Sequence, residues 1–489
     1  MIDKIFCTKK FDKNILIKKE EKFYSVLEIK NLIASKMKEI SKLKENVVIF
    51  EDDNFSFIIN FFASLFLEKN VYLVDNKKKL NLIDFDFDII EGAPKADIFV
   101  NFNEEEIKKT FDKILNEGNI FFYTSGSTFA PKKIQKSLSN LIQEAKTITE
   151  DFKDLNLKQS STVATTTAMQ HLFGLTFAMI FPLYNIEKNF IIETDKILYP
   201  DNINIQNLIF VSTPTFLETI KKYSTKFLIK PELIISAGSK LNEDVYSYLE
   251  KTTKVVEIYG STETGVIANK KHSKDELALF KNVEIKNNKN KTIVKSDFIF
   301  QKEIEINDEV KIKENKITLK NRKDRLLKVY DKRINAIEIE EKLQKSGFIK
   351  ESFCFKFEDK LACFIALNDK GKTELLNKGI ANLKMGLKAY LLNFFEILPQ
   401  KWRFSDALPK TSRGKIDTDL INELFNINLS FPIVIDRKIS ENEADFKLLF
   451  HKNSNFYKGH FPNFPITPGV VQLYIANYFG SKHFNVQLT

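Results

Sequence analysis

A nine-residue stretch, Thr124-Ser125-Gly126-Ser127-Thr128-Phe129-Ala130-Pro131-Lys132, follows the apolar run 120–123 and offers four hydroxyls, a glycine and a terminal ammonium. Hydroxyls, backbone N–H groups and a cation are the donors a polyphosphate needs, and Gly126 lets the backbone approach it closely. In isolation a polar strand-to-helix turn would look the same. The stretch also lacks the G-x-x-x-x-G-K-[ST] pattern of P-loop nucleotide sites. Three clusters keep it company in chain order: Glu257-Ile258-Tyr259-Gly260-Ser261-Thr262-Glu263-Thr264-Gly265, then Asn321-Arg322-Lys323-Asp324, then Leu408-Pro409-Lys410-Thr411-Ser412-Arg413-Gly414-Lys415. A fourth, 456–472, sets His460 among closely spaced prolines and contains a Pro468-Gly469 pair.

The elements that must carry these clusters alternate. The runs 46–50, 71–74, 120–123, 208–211, 233–236 and 255–259 read as short buried strands, and 55–67 and 138–152 as helices between them. Strands interleaved with helices predict a doubly wound α/β domain around a largely parallel sheet. From about residue 297 the texture changes to short alternating runs, and 353–367, 372–395 and 408–415 make a small α+β unit. The expected division is 1–323, 324–425 and 426–489.

At 489 residues the chain has ample length for several domains, and 43% hydrophobic with 29% charged residues is ordinary globular usage. A net charge of +10 spread over that length is weak for a nucleic-acid binder, so none is expected as a partner. Forty-five Phe with few Gly and Pro read as codon bias. The cysteines, 7, 354 and 363, suggest neither a disulfide framework nor a metal site, which predicts a reducing, cytoplasmic setting. The most apolar stretch, 55–67, is too short to span a bilayer, so no stable membrane insertion is expected.

Taken together, the phosphate-type loop and the three clusters after it resemble the adenylate-forming superfamily of acyl-CoA synthetases, aryl-acid ligases and peptide-synthetase adenylation domains, over roughly residues 20–425. The resemblance implies a large domain, a small mobile lid, and two half-reactions: a carboxylate attacks the α-phosphate of ATP, then a thiol displaces AMP. It implies that Thr124, Ser125, Gly126, Ser127, Thr128 and Lys132 hold the β- and γ-phosphates. Thr262 would contact the α-phosphate, Glu263 would bind Mg²⁺, and Tyr259 would pack on adenine. Ser236-Ala237-Gly238-Ser239 resembles the segment lining the adenine pocket. Asp308, fourteen residues before Arg322, resembles the ribose-binding aspartate; Arg322 would also contact ribose, and Asp324 would be the hinge. Lys415 matches the lysine that the lid inserts to bridge carboxylate and α-phosphate, and His171 the gate of the acyl pocket. Residues 165–175 hold no carboxylate, whereas amino-acid-activating relatives place an aspartate there, so an acid without an α-amine is expected.

The pattern is broken twice: Phe129 and Asp331 stand where the family has glycines, the second beside the thiol during thioester formation. The tail 456–472 resembles hot-dog-fold 3-hydroxyacyl-carrier-protein dehydratases, in which the residue matching His460 is the base. Tyr474 stands where those enzymes carry the acid, and some 60 residues do not suffice for a whole hot-dog unit, so this module is expected to be incomplete or inactive. Dehydratases of this type act on carrier-bound acyl groups. The expected activity is therefore an AMP-forming acid–thiol ligase charging the phosphopantetheine of acyl carrier protein with a small fatty or aryl acid. Coenzyme A as acceptor, or a degenerate carrier-binding scaffold without turnover, are the alternatives.

Overall fold

A computed structural model of the chain describes residues 2–74, 80, 83, 85–94, 101–124, 132–195, 197, 205–222, 227, 229–288, 291–322, 325–329, 332–411, 414–426, 431–439, 443–450, 457 and 466–484. The chain forms two compact units, Met1–Lys320 and Asn321–Thr489.

The first unit is α/β, as the alternation predicts. Asn46–Ile49 and Asn70–Leu73 pair in parallel, and the second of these pairs in parallel with Ile120–Thr124. The helix between the first two, Asn54–Phe66, buries every one of its side chains, because its apolar residues run all round the helix instead of along one stripe. Asp53 caps it, accepting from the Ser56 N–H at 3.1 Å. A larger sheet, eleven strands among the described residues, has a parallel centre of Lys254–Ser261, Leu233–Ser236, Leu208–Ser212, Thr162–Thr165 and Ile191–Glu193. The centre is covered on both faces, which explains why its strands read as continuous apolar runs. Antiparallel strands extend it towards one edge, beginning with Gly265–Lys270.

In the second unit the run 353–367 proves to be a hairpin, Ile349–Phe357 with Lys360–Leu367, joined in parallel by Lys401–Ser405. Its turn residues Glu358 and Asp359 both take positive φ. The register sets Cys354 opposite Cys363, so two cysteines nine residues apart are buried free thiols with sulfurs 3.3 Å from each other. The predicted helix 372–395 is observed as Asp369–Leu392, kinked at Gly379, whose φ of 78° no helix interior adopts.

Residues after 426 contribute a two-stranded hairpin, Ile433–Ile439 with Ala444–Leu449, and a helix, Gly469–Phe484. The hairpin is anchored to the rest of this unit. Ile435 joins the core built by the 349–405 strands, and the Arg437 guanidinium donates to both oxygens of Asp406 at 2.7 and 2.6 Å. The helix packs Ile475 and Phe479 on the hairpin and leaves Val470, Leu473 and Tyr474 exposed.

Candidate active site

The parallel strands of the large sheet end in register, Thr165 beside Val211, Val211 beside Ile235, Ser212 beside Ser236 and Ser236 beside Glu257. Their C-terminal edge is the place where open α/β sheets bind ligands. What the sequence places there is polar. The Thr166 and Ser212 hydroxyls lie 2.8 Å apart, those of Thr165 and Thr167 2.7 Å apart, and Gly238 follows Ser236 with φ +101°. These threonines and Ser212 escaped the sequence reading. The signal was available, since hydroxyl residues directly after buried apolar strands mark the edge where the chain meets solvent or ligand.

His171 lies just past the same edge, half-buried, and opens the turn Leu172–Gly174. Gly174 is required there, because a Cβ would sit 2.4 Å from the Ala168 carbonyl oxygen. The chain then winds as a π-helix over Leu175–Ile180, a rare form that often accompanies functional sites.

Tyr259, Thr262 and Glu263 stand on the hairpin between Lys254–Ser261 and Gly265–Lys270. Tyr259 is half-buried beside a register shift at Gly260, and Thr262 and Glu263 are half-buried at the tip. The tip is tied from within. The Ser261 N–H donates to Thr264 Oγ1 at 3.1 Å, the Thr264 N–H to Ser261 Oγ at 3.2 Å, and the two hydroxyls lie 3.1 Å apart. Gly260 could carry no side chain, since a Cβ would meet the Gly265 carbonyl oxygen at 2.3 Å.

Thr124 ends its strand paired with Lys132, the exposed first residue of Lys132–Lys136, so this ladder holds both ends of the phosphate-type loop. Ser125, Gly126, Ser127, Thr128 and Phe129 lie outside the described residues, as do Asp324, Asp331 and His460. Asp308 begins the strand Asp308–Lys313 in the first unit, and Arg322 ends Lys316–Arg322 where the chain passes into the second. Lys415 is exposed in a turn of the second unit, closed by the bridge between Lys410 and Ile416 and by Thr411 N–H donating to the Lys415 carbonyl at 2.8 Å.

Two buried ionisable groups lie against the 261–265 hairpin. Burial pushes the Lys136 ammonium down to about 8 against the pull of Glu144 and Glu263. Burial likewise raises the Glu144 carboxyl, opposed by Lys136, the Val266 N–H and the Thr176 hydroxyl. Sequence reading missed both. Glu144 could have been found, because it sits three residues after Leu141 and four before Ile148 on the core-facing stripe of Leu138–Asp151.

Residues 74–292 match the AMP-binding enzyme family, and residues 436–489 match the ApeI dehydratase family. Among curated proteins, D-alanine–D-alanyl carrier protein ligase from Staphylococcus aureus (strain bovine RF122 / ET3-1) is 24% identical over 417 residues, covering 73% of this chain and 83% of its own. Among solved structures, ATP-bound MatB from Rhodopseudomonas palustris superposes with a TM-score of 0.64 at 15% identity, over 87% of this chain and 98% of its own. O-succinylbenzoate coenzyme A synthetase from Bacillus subtilis, in complex with AMP, does so with a TM-score of 0.64 at 14% identity, over 83% and 95%. At these identities the likeness is one of fold.

Proposed function

We propose that the chain is an adenylate-forming ligase that activates a carboxylic acid with ATP and passes the acyl group to a phosphopantetheine thiol, on acyl carrier protein in preference to coenzyme A; the match of residues 74–292 to the AMP-binding enzyme family and of 436–489 to the ApeI dehydratase family supports this reading. The observation that carries this reading is the Tyr259–Glu263 hairpin set beside a row of hydroxyl-bearing strand ends.

In the first half-reaction an oxygen of the acid bonds to the α-phosphorus and the bond to pyrophosphate breaks. In the second, the thiol sulfur bonds to the acyl carbon and AMP leaves. Negative charge grows at the α-phosphate and at the leaving group, so fixed donors and cations govern the rate. Thr262 donates to the α-phosphate, Lys415 bridges it to the acid, and Tyr259 packs on adenine beside the backbone at Gly238. Asp308 accepts from the ribose hydroxyls, and Arg322 also contacts the ribose. The 124–132 loop holds the β- and γ-phosphates, and His171 guards the acid pocket. Glu263, a half-buried carboxylate on a tied hairpin tip, would hold Mg²⁺ together with phosphate oxygens of ATP, a ligand set that this hard cation accepts. Bound with ATP, Mg²⁺ supplies charge neutralisation at the leaving pyrophosphate.

The functional division we adopt is 1–323 for the nucleotide and acid, 324–425 as a lid hinged at Asp324, and 426–489 as a dehydratase-like tail whose His460 does not turn over without an acid partner. Carrier protein is favoured as acceptor because the curated relatives are carrier protein ligases by name and the tail is dehydratase-like. Their D-alanine is not carried over, since residues 165–175 hold no carboxylate to meet an amine. Among the described residues no helix is long and apolar enough to cross a membrane, and we place the reaction in the cytoplasm on the cysteine usage. Phe129 and Asp331 favour a second reading, a carrier-binding scaffold without turnover.

Carboxylate-dependent ATP–pyrophosphate exchange, with pooled fatty acids, benzoates and cinnamates, separates the two. Exchange with one pool establishes the ligase and its acid class. Folded protein that binds ATP and exchanges with none is the scaffold.

A further inference from the structure

Two ionisable side chains beneath the 261–265 hairpin take no part in the chemistry above. Lys136 is the last residue of Lys132–Lys136 and Glu144 lies on Leu138–Asp151; they are 1% and 2% exposed. The Lys136 ammonium donates to the Glu263 carbonyl at 3.2 Å and to the Phe298 carbonyl at 2.5 Å. One oxygen of Glu144 accepts from the Val266 N–H at 2.7 Å, and the other from the Thr176 hydroxyl at 2.9 Å. Gly265, between those two anchors, has φ +73°, and a Cβ on it would lie 2.6 Å from the Glu144 carboxylate. The carboxylate thus occupies the space a side chain would take.

Burying a lysine and a glutamate carries a large desolvation cost, and apolar residues of equal volume would often serve stability as well or better. What apolar residues cannot do is hold a carbonyl on one side of a hairpin tip and an amide on the other. Lys136 sits four residues beyond the phosphate-type loop on the strand that closes it. Thr176 belongs to the π-helical run that begins four residues after His171. One buried pair therefore touches the elements assigned to the phosphates, to the metal and to the acid.

We propose that Lys136 and Glu144 are positioning residues that set the Thr262–Glu263 tip for Mg·ATP, Lys136 through the Glu263 carbonyl and Glu144 through the Val266 amide, with Thr176 linking the tip to the segment behind His171. This rests on the reading of Thr262 and Glu263 as nucleotide and metal contacts.

The test uses the full chain and two variants, Lys136→Met and Lys136→Met/Glu144→Gln. The double change leaves no unpaired buried charge, so it keeps the test open should the single one unfold. Calorimetric titration with ATP is run with Mg²⁺ and again with EDTA, and exchange kinetics are run with ATP and acid varied separately. The expected result is a cooperative melt, a loss of about tenfold or more in Mg·ATP affinity, a matching rise in KM for ATP, a smaller loss in metal-free ATP affinity through Thr262, and KM for the acid within about twofold of the parent. Folded variants with parental Mg·ATP affinity and KM overturn the proposal. So do equal losses for ATP with and without metal and for the acid, which mark a purely structural role. A parent chain that binds no Mg·ATP overturns the ligase reading itself, and the positioning role with it.

Discussion

The two turns to which charge chemistry is assigned are built in opposite ways. The 261–265 tip is tied by reciprocal Ser261–Thr264 hydrogen bonds and held from beneath by two buried ionisable side chains. The 411–416 turn is held by backbone bonds, with Gly414 N–H donating to the Thr411 carbonyl at 2.8 Å, Gly414 at φ +75° and Lys415 exposed. One tip belongs to a sheet edge and is preorganised. The other carries its cation on a short loop of a separate compact unit. Electrostatic catalysis needs fixed donors where charge develops, whereas a group that enters and leaves during a two-step reaction needs access more than rigidity.

The largest effect expected from this contrast is kinetic. Lys415→Ala should lower adenylate formation by about 10²- to 10³-fold, or about 3–4 kcal/mol of transition-state stabilisation, with the melting temperature unchanged. Pyrophosphate exchange at parental rates in that variant would remove Lys415 from the mechanism. Gly265→Ala comes next, because it combines a left-handed backbone with a Cβ 2.6 Å from Glu144. A loss of about 3 kcal/mol in folding stability is expected, read by urea melts, together with weaker Mg·ATP binding. Gly414→Ala, which puts a side chain on a left-handed backbone at φ +75°, should cost about 1–2 kcal/mol in the same assay and change exchange less than tenfold. A larger kinetic loss would mean that the lysine turn is as preorganised as the other.

Asp53→Ala serves as the control, at a residue that bonds to Ser56 and Lys19 and carries no assigned chemistry. It removes the cap of Asn54–Phe66 and should cost about 1 kcal/mol without altering KM for ATP or acid. Its pH dependence has a defined sign. Burial raises the Asp53 carboxyl, but hydrogen bonds from Ser56 and Lys19 outweigh it and hold the group below its ordinary value. A depressed carboxylate contributes stability that is present above its unfolded value and lost as pH falls through the folded one. The stability difference between parent and variant should therefore be full at pH 7 and shrink below about pH 4.

Much of the fold was legible. Buried parallel strands announce themselves as apolar runs such as Leu233–Ser236, and a helix such as Asn54–Phe66 by being apolar all round. The 353–367 run hid a hairpin, because its turn, Glu358-Asp359, uses acidic residues at positive φ in place of the glycine or asparagine that a sequence reader looks for. The cysteines looked unrelated, since only the register of that hairpin sets Cys354 across from Cys363. Tyr259, Thr262 and Glu263 were legible as a motif, while the Thr165–Thr167 and Ser212 hydroxyls became a row only once their strands stood side by side.

The sequence by itself determined the local chemistry: which loops carry hydroxyls, glycines and cations, and which segments are apolar enough to be strands. Those are properties of a few adjacent residues, so they need no knowledge of the rest of the chain. Only the tertiary structure decided that Lys136 would hold the carbonyl of Glu263, 127 residues away, and Glu144 the amide of Val266, 122 residues away. The physical reason is that a buried charge chooses its partners from whatever the fold brings within hydrogen-bond reach. In a lysine-rich chain nothing in the run Lys132-Lys133-Ile134-Gln135-Lys136 distinguishes the one lysine of the three that the strand turns inward.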